Sequence, residues 1–449
     1  MEYKLKIRKG LNIRLKGEAS KKIKEIEAPD NFAIKPSDFH AIKPKVIAKP
    51  ETKLKIGSPV FFDKNNPEIV FVSPISGTVT EIVRGEKRKI LQINIKNDFK
   101  NDYEKLEVPA YTDSRERIVE FFCKSGLWQF FKQRPYGIIA DTKLVPKSIF
   151  ISLYDTAPLA PDYDYLLDGK QKLLTNALYY ISSLTNGNVY IGLRKDSKLL
   201  KAFVGINNIN TIEISGPHPA GNVGTLINKF DPINKDETVF TLNAQDLLHI
   251  ANTIDKGYFS AERTIVLSGS EVKEPKYIKT FLGASVSNII DGQISNENCR
   301  IISGNVLTGT KIEKDGALGF FENQICIIPE GNEYEMFGWL LPGFKKFSSS
   351  RLYFSFLTPN KKYTINTNFH GGHRPFVMTG QYEKVCPFDI LPQHLIKAII
   401  VKDIDKMEQL GIYEVIEEDL ALCEFVCTSK TEVQSILHEG LELMREEMS

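Results

Sequence analysis

Three cysteines near the end of the chain, Cys386, Cys423 and Cys427, lie in segments that look like the ends of two iron–sulfur motifs. A ferredoxin-type cluster needs four thiolates in a Cys-x2-Cys-x2-Cys-x3-Cys run, because each iron keeps tetrahedral sulfur coordination. Counted back along such a run, the first segment keeps one cysteine and the second keeps two. The other ligand positions hold different residue types: Tyr382, Thr379, Phe376, Leu420 and Glu417. We therefore expect that neither segment holds a four-iron cluster.

A glycine-rich loop, 216–225, follows a predicted strand and could bind phosphate through its backbone N–H groups. It is neither a Walker A loop nor a dinucleotide fingerprint, since no Lys-Ser/Thr pair follows Gly224 and the Gly-x-Gly-x-x-Gly spacing is missing. Pro217 and Pro219 also remove N–H donors that a phosphate would need. Phosphate or flavin binding is one interpretation of this loop, and a rigid turn that holds His218 is the other.

An aromatic cluster with two cations spans residues 127–136. A quinone head group needs an apolar slot with aromatic stacking and one or two donors to its carbonyl oxygens. The cluster could supply both, with Arg134 as the donor. The alternative interpretations are a core patch and a face that docks on a partner protein. The candidate quinone-binding residues are Trp128, Phe131, Arg134 and Tyr136.

Two smaller features could also carry chemistry. A strand, a polar tip and a second strand between 57 and 79 resemble the hairpin of lipoyl and biotinyl carrier domains, in which Lys64 would occupy the position of the modified lysine. The tip is otherwise a poor match, so an unmodified hairpin is the alternative. His370 and His373 could form a metal pair, but they stand on a glycine turn without a third ligand nearby, and we predict no metal site.

The composition of the chain is that of an ordinary folded protein. Its 449 residues predict two to four domains, and a formal charge of +2 gives no general attraction to nucleic acid or to lipid head groups. No stretch of roughly 18 apolar residues occurs, so we expect no membrane span. The pattern of the N-terminus predicts a strand and not a signal peptide. The six scattered cysteines suggest no disulfide framework and favour a reducing cytoplasm.

The order of hydrophobic patterns predicts an α+β multidomain chain. Strands at 148–154, 189–193, 211–214 and 238–242 alternate with helices at 165–184 and 243–254, as in a parallel, Rossmann-like sheet. Five parts are predicted: a barrel-sandwich (lipoyl-like) β domain (1–100), a Rossmann-like α/β domain (101–257), a β-grasp module (258–312), a mixed β-rich region (313–385) and a helical segment that resembles a degenerate ferredoxin domain (386–449).

Six short runs, in the expected order, resemble the A subunit of the sodium-translocating NADH:quinone oxidoreductase over essentially the whole chain. The domain order is also similar to that of the C subunit of the Rnf electron-transport complex, and the middle of the chain resembles the flavin-binding NADH-dehydrogenase subunit of respiratory complex I. The six runs lie at 8–12, 216–221, 301–304, 335–339, 388–392 and 418–427.

The resemblance to the sodium-translocating family implies a peripheral subunit on the cytoplasmic side of the bacterial inner membrane. The complex of that family has six subunits, oxidises NADH, reduces a quinone and exports Na⁺, and its flavins and iron centres belong to other subunits. By this resemblance the chain is part of an enzyme without being catalytic alone, binds no cofactor of its own, and has quinone as a candidate ligand. A stand-alone flavin- or lipoyl-dependent redox enzyme and a pure assembly scaffold are the two alternatives.

Overall fold

The computed structural model describes residues 1–332, 335–338 and 340–447. Trp339, which belongs to the run at 335–339, and the last two residues of the predicted helical segment lie outside the described residues.

The first hundred residues form short strands that separate into different sheets. Four of them build an antiparallel sheet in the order β3-β9-β8-β5, and three build a second sheet in the order β4-β6-β7. Apolar residues from both sheets share one core, in which the rings of Phe61 and Phe71 stack with centroids 4.4 Å apart. The strands are β1 (Glu2–Lys6), β2 (Ser20–Glu25), β3 (Asn31–Ile34), β4 (Pro44–Val46), β5 (Lys53–Leu54), β6 (Pro59–Asp63), β7 (Val70–Val72), β8 (Gly77–Arg84) and β9 (Ile90–Asn97).

The next segment, together with β1 from the start of the chain, forms the predicted α/β sheet, in the order β1-β14-β13-β12-β15-β10-β11. Strands β1, β14, β13, β12 and β15 run parallel, and β10 and β11 form an antiparallel edge. The elements are α1 (Arg115–Lys124), β10 (Lys132–Arg134), β11 (Ile138–Ile139), β12 (Ile149–Ser152), α2 (Tyr163–Leu166), α3 (Gln171–Ser182), β13 (Val189–Arg194), α4 (Leu200–Phe203), β14 (Ile209–Ser215), α5 (Val223–Phe230), β15 (Val239–Asn243) and α6 (Ala244–Lys256).

The direction in which the chain adds strands changes at β12. From there the chain adds β13 and β14 on one side and then crosses to place β15 on the other. In parallel α/β sheets, the crevice at the carboxyl ends of the strands on either side of such a switch point is the usual place for a ligand. The sheet therefore creates a crevice between the ends of β12 and β15.

Local capping residues explain where several helices of this domain begin and end. Ser114 Oγ accepts a hydrogen bond from the Arg117 backbone N–H at 3.4 Å, and Asn243 caps α6 in the same way. The predicted single helix at 165–184 is instead two helices, α2 and α3. Gly169 between them has a φ of +78°, a left-handed conformation that interrupts the helix.

A third module consists of a six-stranded sheet in the order β19-β18-β20-β16-β17-β2. It draws β2 from the first part of the chain, which pairs in parallel with β17. A β-rich region is predicted at 313–385, but the residues of that range that the structure describes contain one strand, β20. Glycine, proline and serine residues interrupt the alternation of apolar and polar residues that is typical of a strand. The elements are β16 (Glu262–Ser268), β17 (Lys276–Phe281), α7 (Ser287–Ile290), β18 (Cys299–Ser303), β19 (Thr310–Ile312) and β20 (Gln324–Pro329).

The end of the chain is helical and has its own core. Buried residues of these helices pack together and also enclose Ile13 and Leu15 from the N-terminal region. Among the described residues, no helix combines the length and apolar character needed to cross a bilayer. The helices are α8 (Tyr382–Val385), α9 (Pro392–Ile400), α10 (Ile404–Gln409), α11 (Glu417–Val426) and α12 (Val433–Glu447).

Candidate functional site

A cleft of about 240 Å³ opens at the switch point of the α/β sheet. Its floor comes from the ends of β12 and β15, its side from β10, and its roof from residues 321–324 of the third module and from the start of α11. An apolar cavity of roughly 150 Å³ holds one benzene ring. The cleft therefore has room for a ring-sized group with substituents, and three structural modules contribute to its walls.

The cleft is polar, with more carboxylates than cations in its lining. Lys132 and Arg134 reach it from β10, whereas the carboxylates come from all three modules. Lys132 Nζ lies 4.1 Å from the centroid of the Phe321 ring, a cation–π contact on the cleft wall. The carboxylates that line the cleft are Asp155, Asp246, Glu322 and Glu418.

Arg134 is buried and forms two ion pairs with α11. Its Nη1 donates to Asp419 Oδ2 at 2.6 Å, and its Nη2 donates to Glu418 Oε1 at 2.7 Å. Burial alone would lower the pKa of Arg134, but the two carboxylates outweigh it and hold that pKa above its usual value. Both terminal nitrogens are thereby engaged by the protein itself, and β10 is joined to α11 across the domain boundary.

Asp419 also occupies the beginning of α5, directly after the glycine-rich loop. A methyl group added to Gly224 would come within 2.4 Å of the Asp419 carboxylate. The partial positive charge at a helix N-terminus stabilises a nearby anion. The place where a phosphate would lie on this loop therefore holds a carboxylate of the same chain, fixed there by Arg134 and by the Ile416 backbone N–H, which donates to Asp419 Oδ2 at 3.1 Å.

The loop itself is held by internal contacts. Thr156 Oγ1 accepts a hydrogen bond from the Gly221 backbone N–H at 3.0 Å and lies 3.1 Å from His218 Nδ1. Burial lowers the pKa of His218 to about 4, so this imidazole is neutral near pH 7. These contacts favour the rigid-turn interpretation of the loop.

A second buried charge network supports the cleft behind Asp246. Arg263 Nη2 lies 3.4 Å from Asp246 Oδ1, and Arg263 Nε donates to His249 Nε2 at 3.1 Å. His249 Nδ1 lies 2.9 Å from the Ser260 carbonyl oxygen, so Nδ1 carries the proton and Nε2 is the acceptor. Burial and the neighbouring Arg263 lower the pKa of His249 to about 3, which keeps this ring neutral.

Two of the cleft carboxylates have pKa values close to neutral pH. Burial raises the pKa of Glu322 to about 7, and nearby Asp38 and Asp155 add to the rise while Lys132 and Arg263 oppose it. Burial likewise raises the pKa of Asp246 to about 6, against the attraction of Arg263. The cleft can therefore take up and release protons in the physiological pH range.

The aromatic residues predicted to bind quinone lie mostly in the core. Trp128 and Phe131 are 0% exposed, and the Trp128 indole N–H donates to the Ala140 carbonyl oxygen at 2.7 Å. Tyr136 is half-buried beside Tyr413 and does not line the cleft. Arg134 is the one member of the predicted set that lines it, so β10 places the segment with its aromatic rings behind the cleft and its cations at the wall.

The three cysteines are buried in the helical domain. Cys386 and Cys423 lie close together in this core, and Cys427 Sγ accepts a hydrogen bond from the Thr431 backbone N–H at 3.4 Å. Within the part of the chain that the structure describes, no three His, Cys, Asp or Glu residues are arranged to hold a metal ion, and this includes His370 and His373. Lys64 lies in the exposed loop between β6 and β7.

The sequence reasoning missed most of the cleft. Asp155, Glu322 and Asp246 carry no local motif, and their partners are distant in the chain. One signal was present for Asp155 and for Asp246, because each lies just after the carboxyl end of a predicted strand, 148–154 and 238–242, where the rule for switch points places ligands. Glu322 and Asp419 belong to other modules and had no such signal.

Three family models match this chain, in order along the sequence. They are described as the NqrA N-terminal barrel-sandwich hybrid domain, matching residues 5–98, the NqrA second alpha/beta domain, matching residues 113–259, and the NQRA C-terminal domain, matching residues 264–314. The barrel-sandwich prediction for the first domain and the α/β character of the second are thereby confirmed.

Curated relatives match over nearly their full length. Proteins named as the A subunit of Na(+)-translocating NADH-quinone reductase are 35% identical in Rhodopirellula baltica, with 98% of both chains covered, and 36% identical in Neisseria meningitidis serogroup B, with 99% of this chain and 100% of that one covered. A solved NAD⁺-reducing [NiFe]-hydrogenase in the H2-reduced state aligns at 10% identity over 76% of this chain and 61% of that one, with a TM-score of 0.39, which is too low to support an argument.

Proposed function

The chain belongs to the family of the A subunit of Na⁺-translocating NADH-quinone reductase, and from this membership we propose that it is a peripheral subunit of such a complex. In this role it supports quinone reduction coupled to Na⁺ export, at the cytoplasmic side of the bacterial inner membrane. The full-length match to proteins of that name is the observation that carries the proposal. NADH oxidation, the flavins and the iron centres are assigned to the other five members of a complex of six.

The internal arrangement of the α/β domain is consistent with a subunit that lacks its own nucleotide cofactor. Asp419 fills the start of α5, and Arg134 neutralises it there. A phosphate would have to displace a carboxylate that is hydrogen-bonded to a buried guanidinium, and the cost of leaving either charge unpaired is several kcal/mol. This favours a peripheral, accessory role over a stand-alone flavin enzyme.

We further propose that the cleft at the switch point accepts the quinone head group. Support comes from the wall formed by Lys132 and the Phe321 ring, which offers a cationic donor beside an aromatic surface. Arg134 then acts as a positioning residue for α11, since its terminal nitrogens are engaged by Glu418 and Asp419. Trp128 and Phe131 hold the β10 segment in place from the core side.

Quinone reduction to quinol consumes two protons along with two electrons, and a cleft that binds the head group needs proton donors within reach. Glu322, whose pKa of about 7 makes it partly protonated at neutral pH, can release a proton toward a reduced carbonyl oxygen and regain one from solvent. The electrons come from the redox centres of the partner subunits in this proposal.

The proposal as a whole is tested in membranes from a strain that lacks only this chain. We expect NADH oxidation with an artificial electron acceptor to persist, while Na⁺-dependent quinone reduction is lost and returns with the chain supplied from a plasmid. A purified chain that oxidises NADH alone and carries a flavin or lipoyl absorption or mass would support the stand-alone enzyme instead.

The quinone cleft is tested by two truncations in the assembled complex. Phe321→Ala removes an aromatic wall worth about 1–3 kcal/mol of contact, so the apparent quinone KM should rise by about tenfold. Trp128→Ala is the control, because a core residue should reduce folding or assembly and leave KM unchanged in the complexes that survive. A normal quinone KM in fully assembled Phe321→Ala complexes would leave the chain as an assembly scaffold.

A further inference from the structure

The part of the chain between β20 and α8 combines exposed apolar side chains with positive charge. Among the described residues of 336–357, nine large apolar side chains are each 47–85% exposed, including Leu340, Phe344, Leu352, Phe354 and Phe356. We call these nine side chains the apolar face. Single exposed apolar residues are common on protein surfaces, but a group of this density in some twenty residues is not.

The apolar face belongs to a segment that is folded and anchored. Tyr363 is buried, pairs with Leu15 as an isolated bridge, and accepts the Lys16 backbone N–H at 2.9 Å through its carbonyl oxygen. The ring of Phe347 packs against Tyr363 and against Phe425 of α11, with centroids 5.6 and 6.0 Å apart. The segment thus has an inner side that packs on the helical core and an outer side that carries the apolar face.

Residues of the apolar face also contact one another. The rings of Phe344 and Phe354 lie edge to face with centroids 5.7 Å apart, and the Phe354 backbone N–H donates to the Pro342 carbonyl oxygen at 2.9 Å. With roughly 150–250 Å² for a large side chain, the exposed fractions amount to on the order of 1,000 Å². That exceeds the largest apolar patch of a typical monomer and equals about one side of a standard protein interface.

The charge around the apolar face is mostly positive. Residues 336–378 contain six Lys and Arg and no Asp or Glu, although the whole chain has a formal charge of only +2. Two of these cations pair with carboxylates from outside this range, Lys346 with Glu335 and Lys362 with Glu18. Lys345 and Arg351 are exposed beside the apolar side chains. A partner that covers this face must therefore be apolar at the centre and acidic at the rim.

A protein surface satisfies these conditions better than lipid hydrocarbon does. Within the described residues of 335–357 the backbone forms one short helical turn, 354–357, and otherwise lacks regular structure. Irregular backbone inserted into hydrocarbon would leave N–H and C=O groups without partners, at a cost of several kcal/mol for each. We infer that the apolar face docks on another protein of the complex, at an apolar surface rimmed by carboxylates. This inference rests on the proposed function.

The test uses the assembled complex, purified through a tag on a different subunit. The photo-cross-linking residue p-benzoylphenylalanine replaces Leu340 or Phe356, one at a time. Matched controls carry it at Phe99 and Val204, which are exposed to a similar degree elsewhere on the chain. We expect Leu340 and Phe356 to give an adduct with a second protein of the complex, identified by mass spectrometry, and the controls to give none.

Each other result overturns a defined part of the inference. Adducts with lipid alone would assign the apolar face to the bilayer, and adducts from Phe99 or Val204 alone would move the interface elsewhere; both outcomes leave the proposed function standing. Absence of the chain from the purified complex would overturn the proposed function together with the docking surface.

A charge reversal gives an independent measurement. The double variant Lys345→Glu with Arg351→Glu should lower the fraction of chain retained on washed membranes by about tenfold, with the largest loss at low salt, where an acidic rim acts most strongly. Lys87→Glu with Lys89→Glu, in the exposed loop between β8 and β9, is the matched control and should leave retention unchanged. Equal retention in both double variants would contradict the acidic rim.

Discussion

Helix α11 faces two regions of the molecule that differ in how their interior is filled. At its first turn, Asp419 lies against the start of α5 and pairs with Arg134, so this region is closed by buried charges. One turn later, Cys423 points into the helical core beside Cys386, and this region is closed by thiols and apolar packing. Asp419 and Cys423, four residues apart on one helix, therefore lie in two interiors of different character, one closed by an ion pair and one by apolar packing.

The difference determines how much stability the chain should lose when a residue in each region is substituted. A buried ion pair is stable only while both members are present, because removing one leaves a charge without compensation. A buried thiol behaves as a small apolar group, and its replacement removes little more than a few contacts. We therefore expect substitutions at the α5 terminus to be costly and substitutions among the cysteines to be mild.

The largest effect should follow Arg134→Ala, which leaves Asp419 buried without its cation. We expect a loss of about 3–5 kcal/mol in the free energy of unfolding of the full chain, measured by denaturant titration. Lys124→Ala is the control, since Lys124 pairs with Glu120 on the solvent-exposed side of α1 and should show no measurable loss. Similar losses in the two variants would mean that the Arg134 pair does not join β10 to α11.

Gly224→Ala should destabilise the chain by about 1–3 kcal/mol, because the added methyl group collides with the Asp419 carboxylate at the start of α5. The sign should change in an Asp419→Ala background. There the collision is gone, and alanine is intrinsically better than glycine in a helix by about 1 kcal/mol. A double-mutant cycle of unfolding free energies measures this coupling. Purely additive effects would show that the Asp419 carboxylate does not contact a side chain at position 224.

The cleft offers a pH test through Glu322. Its pKa of about 7 in the folded chain lies above the usual value of 4.5, so folding favours the protonated form. The stability that this group contributes is fully present below about pH 4.5 and is lost as the pH rises through 7. Glu322→Gln should therefore be more stable than the unmodified chain at pH 8, by on the order of 3 kcal/mol, and about equal to it near pH 4.5.

Comparison of unfolding curves for the two proteins across this range isolates Glu322, because all other groups titrate in both. A difference in stability that does not vary with pH would show that Glu322 is not the group responsible. Asp246→Asn would then be the next variant to measure, since its carboxylate has a pKa of about 6 in the same cleft.

Features set by neighbours in the sequence were predictable. Ser114 and Asn243 are residue types that favour helix caps, and both cap their helices, because a cap depends only on the next few residues. The parallel strands of the α/β sheet followed from their alternation with helices. Where a local signal was overlooked, as at Gly169, one predicted helix became two.

The candidate site depends on contacts between distant parts of the chain, and these could not be predicted. Arg134 and Asp419 are 285 positions apart, and Glu322 reaches the cleft from a different module. The cluster at 127–136 was recognised as aromatic and cationic, but no pattern in one sequence tells which side of a short edge strand faces the core. Its orientation depends on the packing of α6 and the third module behind it.

The mildest change should be Cys423→Ala combined with Cys427→Ala. Both thiols are buried among apolar residues, so their loss removes small contacts and should cost about 1 kcal/mol for each in unfolding free energy. Because neither segment keeps the four cysteines that a cluster requires, Na⁺-dependent quinone reduction by the assembled complex should be unchanged. Iron and acid-labile sulfide measured in anaerobically purified unmodified chain should be absent. A complex that assembles normally with the double variant but no longer reduces quinone would show that these thiols take part in electron transfer. The expectation that substitutions among the cysteines are mild would then be wrong.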